Sequence, residues 1–177
     1  HDFQGSSLLI QPFIQYKWKV NKDMDLTAGI HSQYFSLSNS VSYAEPRLGW
    51  QYRMKNKQVL SAGAGMHSQT QPLYQYTYQR YDSQNNPVLH NKNMDFTRSI
   101  HSAIGYEKTF KKSLRFKTEV YYQQLYNIPI DMKPSAFSLI NQGSGFQRFF
   151  PDTLVNNGMA RNYGVEVTVQ KFFDQSF

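Results

Sequence analysis

The residues of this chain best equipped for chemistry are three histidines, His31, His67 and His101, each in a stretch where polar and apolar residues alternate. Side chains alternate across a strand, so the alternation puts all three on the polar side. Gly29-Ile30-His31-Ser32-Gln33 and Gly65-Met66-His67-Ser68-Gln69 even read as a local echo. Two imidazoles on adjacent strands, His67 and His101, would begin a divalent-metal site. No Asp or Cys stands at ligand spacing beside them, so the plainer assignment is a hydrogen-bonding lining, and no metal is assigned. Arg47, Glu119 and Glu166 fall on the same polar side, at a similar height when counted from the short turns. Glu119 and Glu166 suggest a carboxylate pair, but Arg115 and Lys117 lie close by, and charge pairing along a wet surface accounts for both. No Gly-x-Ser-x-Gly, phosphate loop or His-Glu-x-x-His occurs. Gly143-Ser144-Gly145 has neither the strand before it nor the helix after it that a phosphate cradle needs. No catalytic residue and no cofactor is assigned.

Binding is better served. Tyr74, Tyr76, Tyr78, Arg80 and Tyr81 form an aromatic and basic cluster in one long polar segment. Phe146, Arg148, Phe149 and Phe150 form a second in another. Rings flanked by guanidinium groups can stack on a sugar, a peptide or an aromatic siderophore. The competing role is packing of the loops on one another, which weighs equally for the Phe cluster and less for the more polar Tyr cluster. Binding residues concentrate on loops held by a rigid scaffold.

The scaffold follows from periodicity. In Ala160–Lys171, Tyr163, Val165, Val167 and Val169 share one face, and Asn162, Gly164, Glu166, Thr168 and Gln170 the other. That is a strand with one oily and one wet side, as on a half-buried soluble sheet or a transmembrane barrel wall. Similar alternation runs through Leu8–Val20, a second strand around Leu26–Tyr34, Arg47–Met54, Val59–Gln69, Asp95–Glu107 and Leu114–Tyr126. Short turns are expected at Asn21–Asp23, Lys55–Gln58, Lys108–Lys112 and Phe172–Ser176. Loops are expected at Ser36–Glu45, Thr70–Asn93 and from Asn127 to the last strand. Phe177 reads as the start of an eighth strand.

Short and long connections thus alternate, which places all short turns at one end. Outer-membrane barrels segregate their loops this way, and Greek-key sandwiches have no reason to. Strands of about ten residues also exceed the five or six usual in soluble sheets. On the oily side, Trp18, Tyr52 and Tyr106 lie toward the short turns and Tyr34, Tyr122 and Tyr163 toward the loops, like two interfacial girdles.

Composition agrees. Of 177 residues, 40% are apolar and only 18% charged, which excludes a disordered chain, and 16% are aromatic. There is no Cys, hence no disulfide framework or thiolate metal site. No stretch approaches the roughly 20 apolar residues of a membrane helix, whereas barrel strands need only about 9–11 of alternating polarity. The formal charge of +7 is scattered through turns and strands, so nucleic acid is not an expected partner. The chain has no initiator Met and no secretory h-region, and it reads as a piece of something longer. The fold class expected is all-β, an antiparallel up-and-down transmembrane barrel segment of seven strands and the start of an eighth. The alternatives are a complete small outer-membrane barrel and a soluble β-domain that binds carbohydrate or protein through its Tyr-rich loops.

Particular segments carry a resemblance. Ser138–Phe146, Pro151–Gly158 with its Leu-Val-Asn-Asn-Gly, and Arg161-Asn162-Tyr163-Gly164-Val165-Glu166 resemble the C-terminal barrel of TonB-dependent outer-membrane receptors, Bacteroidetes-type ones most of all. Glu45-Pro46-Arg47-Leu48-Gly49 and Leu60–Pro72 are similar too, so the likeness spans most of residues 45–171. The resemblance implies a barrel of about 22 strands filled by a plug, with residues 1–177 forming part of the wall and the plug and other strands lying elsewhere. It implies a bacterial outer-membrane location and partners in membrane lipid, the chain's own plug and the TonB energy-coupling system. It also implies a scarce nutrient ligand whose identity the sequence leaves open, and in one branch of the family a surface lipoprotein lid.

On this reading Tyr163 to Val169 face lipid. Val167→Arg should then block membrane assembly, at about 2–4 kcal/mol if the site lies near the midplane. Glu166→Gln, on the wet side, should leave assembly intact. Heat-modifiable migration of outer-membrane fractions on gels distinguishes the two.

Overall fold

The computed structural model describes residues 4–110, 113–142 and 153–172. Ten strands form: β1 Leu9–Ile10, β2 Phe13–Lys19, β3 Met24–Phe35, β4 Ser40–Met54, β5 Gln58–Gln69, β6 Gln79–Tyr81, β7 Pro87–Leu89, β8 Thr97–Phe110, β9 Leu114–Asp131 and β10 Leu154–Lys171. A single helical turn, α1, spans Leu73–Tyr76. β6 and β7 make a small separate hairpin, and the others form one antiparallel sheet in chain order. β1 and β2 both pair with β3 and amount to one strand interrupted at Gln11-Pro12, where Pro12 has no N–H to give a ladder. The wall therefore has the seven traverses expected, each next to its neighbour in sequence. Among the described residues β2 and β10 leave open edges, so this is a segment of wall rather than a closed barrel.

The sheet is a single layer, and its oily side is bare. Val165 is 65% and Val167 62% exposed, and Ile104, Leu48 and Trp18 are similarly open. In water such a surface would need a second layer, whereas lipid supplies one. One register row joins Trp18, Leu26, Trp50, Ala62, Ile104, Val120 and Val165 across all seven traverses. Tyr34 stands ten residues along β3 from the row of Met24 and Tyr52, but Tyr122 and Tyr163 sit closer to the short-turn aromatics than two girdles would place them. Tyr122 and Tyr163 are paired, and Tyr122 stands four residues from the row of Tyr52 and Tyr106. That is about 13 Å along a strand, roughly half of a lipid band about 25 Å tall.

Three connections differ from expectation. The loop Ser36–Glu45 is instead a tight turn over residues 36–39, with Phe35 paired to Ser40. Asn39 takes a positive φ of 53° and accepts from Tyr34 Oη at 3.2 Å. Alternation failed to reveal this hairpin because the ladder slips between His31 and Gln33, so Ser40–Glu45 straddles an irregularity. The segment from Thr70 to Asn93 is not structureless, since it holds α1 and the β6–β7 hairpin. The last connection is shorter than expected, because β9 runs on to Asp131 and β10 starts at Leu154. This extension also hides behind irregularities, with Asn127 at φ 56° and register shifts around Gly158. A Cβ at Gly158 would lie 2.8 Å from the Ile128 carbonyl oxygen, so only Gly allows that approach. The sequence-expected strand at Phe177 lies outside the described residues.

The apolar core sits at the long-loop end: Phe35, Tyr76, Met94, Phe96 and Leu154, with Leu37 and Phe137 against it. The Phe35 and Tyr76 rings meet edge to face at 5.2 Å. Side-chain amides bind this cluster to the wall. Asn156 accepts from the Asp95 amide at 2.9 Å and donates to the carbonyls of Asp95 at 3.2 Å and Asn127 at 2.8 Å. Asn91 accepts from the Leu154 amide at 2.8 Å. Together they join the root of the 70–96 segment to β9 and β10.

Asn156→Ala removes the acceptor of the Asp95 amide and leaves the Asp95 and Asn127 carbonyls only their longer bonds from Gln71 and Thr97, at about 1–3 kcal/mol. The expected result is faster protease nicking between Thr70 and Asp95 while the barrel keeps its heat-modifiable migration.

Candidate functional site

The polar side of the wall brings part of the predicted set together. Register aligns Gly29, Arg47, Gly65 and His101. Gly65 lets Arg47 and His67 converge: a Cβ there would lie 3.2 Å from Arg47 Cγ and 3.4 Å from His67 Nε2. His101 sits edge to face with Tyr121 at 6.3 Å. His31 stands one polar row farther from the short turns and bonds through Nδ1 to Glu45 Oε2 at 2.8 Å. Glu119 and Glu166 do not join this group. They pair with each other opposite Gly105, two polar rows toward the short turns. Lys117 neutralises Glu119 at 3.1 Å. Counting residues from the turns set them level with the histidines because it ignored the relative stagger of the strands. No group of three or more His, Cys, Asp or Glu that could hold a metal occurs among the described residues.

The residue overlooked in the sequence is Glu45, only 2% exposed. The β4–β5 ladder ends at Arg47 and Gly65, and beyond that point β4 and β5 separate. Gln33 and Glu45 fill the gap. Gln33 Nε2 donates to Glu45 Oε1 at 3.1 Å and to the Ser68 carbonyl at 2.8 Å, and Ser68 Oγ donates to Glu45. Arg47 lies 3.6 Å from the same carboxylate. A buried carboxylate is tolerable only with such partners. A sequence clue existed in Glu45 lying close to Arg47 and in phase with it, but alternation along one strand does not say which residue faces it across the next, and Glu45 pairs with His31 as the last pair before the ladder slips.

Above this polar floor lies the 70–96 segment. Tyr76 is fully buried, its hydroxyl accepting from the Gln71 amide at 3.1 Å, and burial pushes its pKa up. It was expected among the ligand-facing residues and is instead the hub of the loop core. Tyr74 and Tyr78 are half-buried, and Arg80 and Tyr81 are exposed on β6, Tyr81 at 66%. The hairpin tip is closed by Asp82, whose Oδ1 accepts from the amides of Asn86 at 2.8 Å and Gln84 at 2.9 Å. The Asn86 amide, more than any other group, holds the Asp82 carboxyl below its ordinary pKa. Phe146, Arg148 and Phe149 lie outside the described residues.

An antiparallel single-layer wall, polar inside and bare outside, with a packed loop module at one end, can be compared with known proteins. Among curated protein sequences none matches the chain. Among solved structures, the siderophore receptor PirA from Pseudomonas aeruginosa superposes with a TM-score of 0.69 over 92% of this chain at 15% identity. The chain spans about a third of that receptor, 31% of its length. The family model for the TonB dependent receptor-like β-barrel matches residues 2–176. With nearly every residue under that model and the wall folded as the family's is, this chain belongs to the TonB-dependent receptor β-barrel family.

Proposed function

We propose that this chain forms part of the barrel wall and the extracellular loops of an outer-membrane receptor that imports a scarce nutrient, a siderophore, glycan or peptide. The remaining strands and the plug come from the rest of the protein, TonB supplies the energy, and a surface lipoprotein is a possible further partner. The observation that carries the reading is the loop module. Tyr76 and its neighbours fix the 70–96 segment at the rim, and the same segment presents Tyr81 and Arg80 outward. Rings and a guanidinium held by a packed base suit a ligand with a flat or anionic face. Tyr74 and Tyr78 would extend that surface, as would Phe146, Arg148 and Phe149 from the second loop. His31, Arg47, His67 and His101 would line the lumen beneath, with Glu119 and Glu166 deeper in.

In the full-length receptor, uptake should cease in cells lacking TonB. Uptake that persists there would overturn the reading. Replacing Tyr74, Tyr78, Arg80 and Tyr81 together by Ala should weaken ligand binding at least tenfold, about 1.4 kcal/mol, at unchanged surface abundance. Tyr76→Phe, which keeps the core, should bind normally.

A pH dependence follows from Asp82. Its folded pKa is depressed, so its contribution to the hairpin is complete above the ordinary carboxylate value and lost as pH falls through the folded value. Binding that depends on the hairpin should weaken below about pH 4, and Asp82→Ala should show the weak binding at neutral pH.

A further inference from the structure

Folding gathers lysines that the sequence scatters. Lys55 and Lys57 are exposed in the turn between β4 and β5, where Asn56 and Lys57 both take positive φ. The Thr109 amide donates to the Lys57 carbonyl at 3.1 Å, which sets that turn against the end of β8. Lys108 pairs there with Gln58, and its Nζ lies 5.0 Å from the Phe110 ring centre. Alternation puts Lys108 on the oily side with Tyr106 and Ile104. The nearest carboxylate in sequence, Glu107, belongs to the polar side and is paired with Arg115 at 2.5 Å.

Along the same oily side, away from the turns, lies a shallow trough of about 690 Å³. Its floor is made of Ala28, Ala62, Ala64 and Ser102, and Trp50 and Ile104 flank Ala62 in the register. Small side chains between large ones make a channel in a wall that would otherwise be evenly knobbed, and its volume is in the range of small-ligand sites. Between trough and lysines stand Tyr52 and Tyr106, the Tyr106 hydroxyl donating to Gln58 Oε1 at 2.7 Å. Ile104 and Lys108 are four residues apart, about 13 Å along the strand. Apolar channel, amphipathic rings and cationic rim therefore follow one another in the order of an acyl chain, a glycerol ester and a phosphate.

We propose that this face seats an anionic glycerophospholipid of the leaflet on the short-turn side, its phosphate at Lys55, Lys57 and Lys108 and an acyl chain in the alanine trough. Charge complementarity selects an anionic headgroup, since lysines near a membrane surface each favour one measurably. The proposal rests on the oily side facing lipid, which is tested separately: full-length receptor that stays monodisperse without detergent would overturn that underlying reading.

The direct experiment is native mass spectrometry of the detergent-purified full-length receptor, with phosphatidylglycerol, phosphatidylcholine or lipopolysaccharide added in turn. The wild type should retain phosphatidylglycerol over phosphatidylcholine, and Lys55→Gln/Lys57→Gln/Lys108→Gln should cut that preference by about fivefold or more. The corresponding triple Arg variant should keep it. Ala62→Phe/Ala64→Phe should lower retention of phosphatidylglycerol with the lysines intact. A wild type without preference, a Gln variant that keeps it, retention untouched by the filled trough, or stronger retention of lipopolysaccharide would each overturn the proposal.

Discussion

A strand that crosses lipid has no water to satisfy its backbone, so every N–H and C=O in the span must find a partner in a neighbouring strand. The rest of this structure depends on that constraint. It enforces a ladder between sequence neighbours, and the seven traverses comply toward the short turns, the interruptions at Pro12, after His31 and around Gly158 all lying on the loop side. It also removes the need for a core beneath the sheet. Val165, Val167 and Ile104 remain open in the wall for the same reason that they would be intolerable in a soluble sandwich.

Where the wall leaves the membrane the physics changes. The chain builds its only conventional core among the described residues there, around Tyr76 and Phe96. That core draws on β3, the 70–96 segment and β10, so parts far apart in sequence are fixed together. Asn156, Asn91 and Asp95 then satisfy backbone groups that irregular connections would otherwise leave unpaired. A binding loop carried on such a base has less freedom to lose when a ligand arrives. This links the loop core to the proposed function of the surface above it.

Between wall and loops lies the gap where β4 and β5 part. Glu45, Gln33, Ser68 and His31 close it with hydrogen bonds instead of a ladder. Buried polar networks of this kind hold one arrangement when every member is satisfied. Here the network fixes the height at which regular wall gives way to the mouth. Lower on the polar side, Tyr121 lies over Gly164, where a Cβ would meet its hydroxyl at 2.7 Å. The ring supplies the side-chain cover that glycine lacks.

By itself the sequence determined the wall. Period-two alternation is a local property, dictated by the pleat, and it assigned strands, faces and the polar side of His31, His67 and His101 without any tertiary information. The Leu-Val-Asn-Asn-Gly and Asn-Tyr-Gly-Val-Glu segments carried the family. What only the tertiary structure decided lies where the alternation slips. The hairpin at Asn39 and the long reaches of β9 and β10 lie beyond irregularities that break the alternation, and the pairing of Glu45 with His31 is the last regular pair before one of them. Heights across strands were likewise undetermined, since Glu119 and Glu166 separate from the histidines through stagger alone. Tyr76 looked like its neighbours Tyr74 and Tyr78 and became core because Phe35 and Phe96, each at least twenty residues away in sequence, close around it. Burial is decided by which surfaces meet, and a single strand's periodicity carries no record of that.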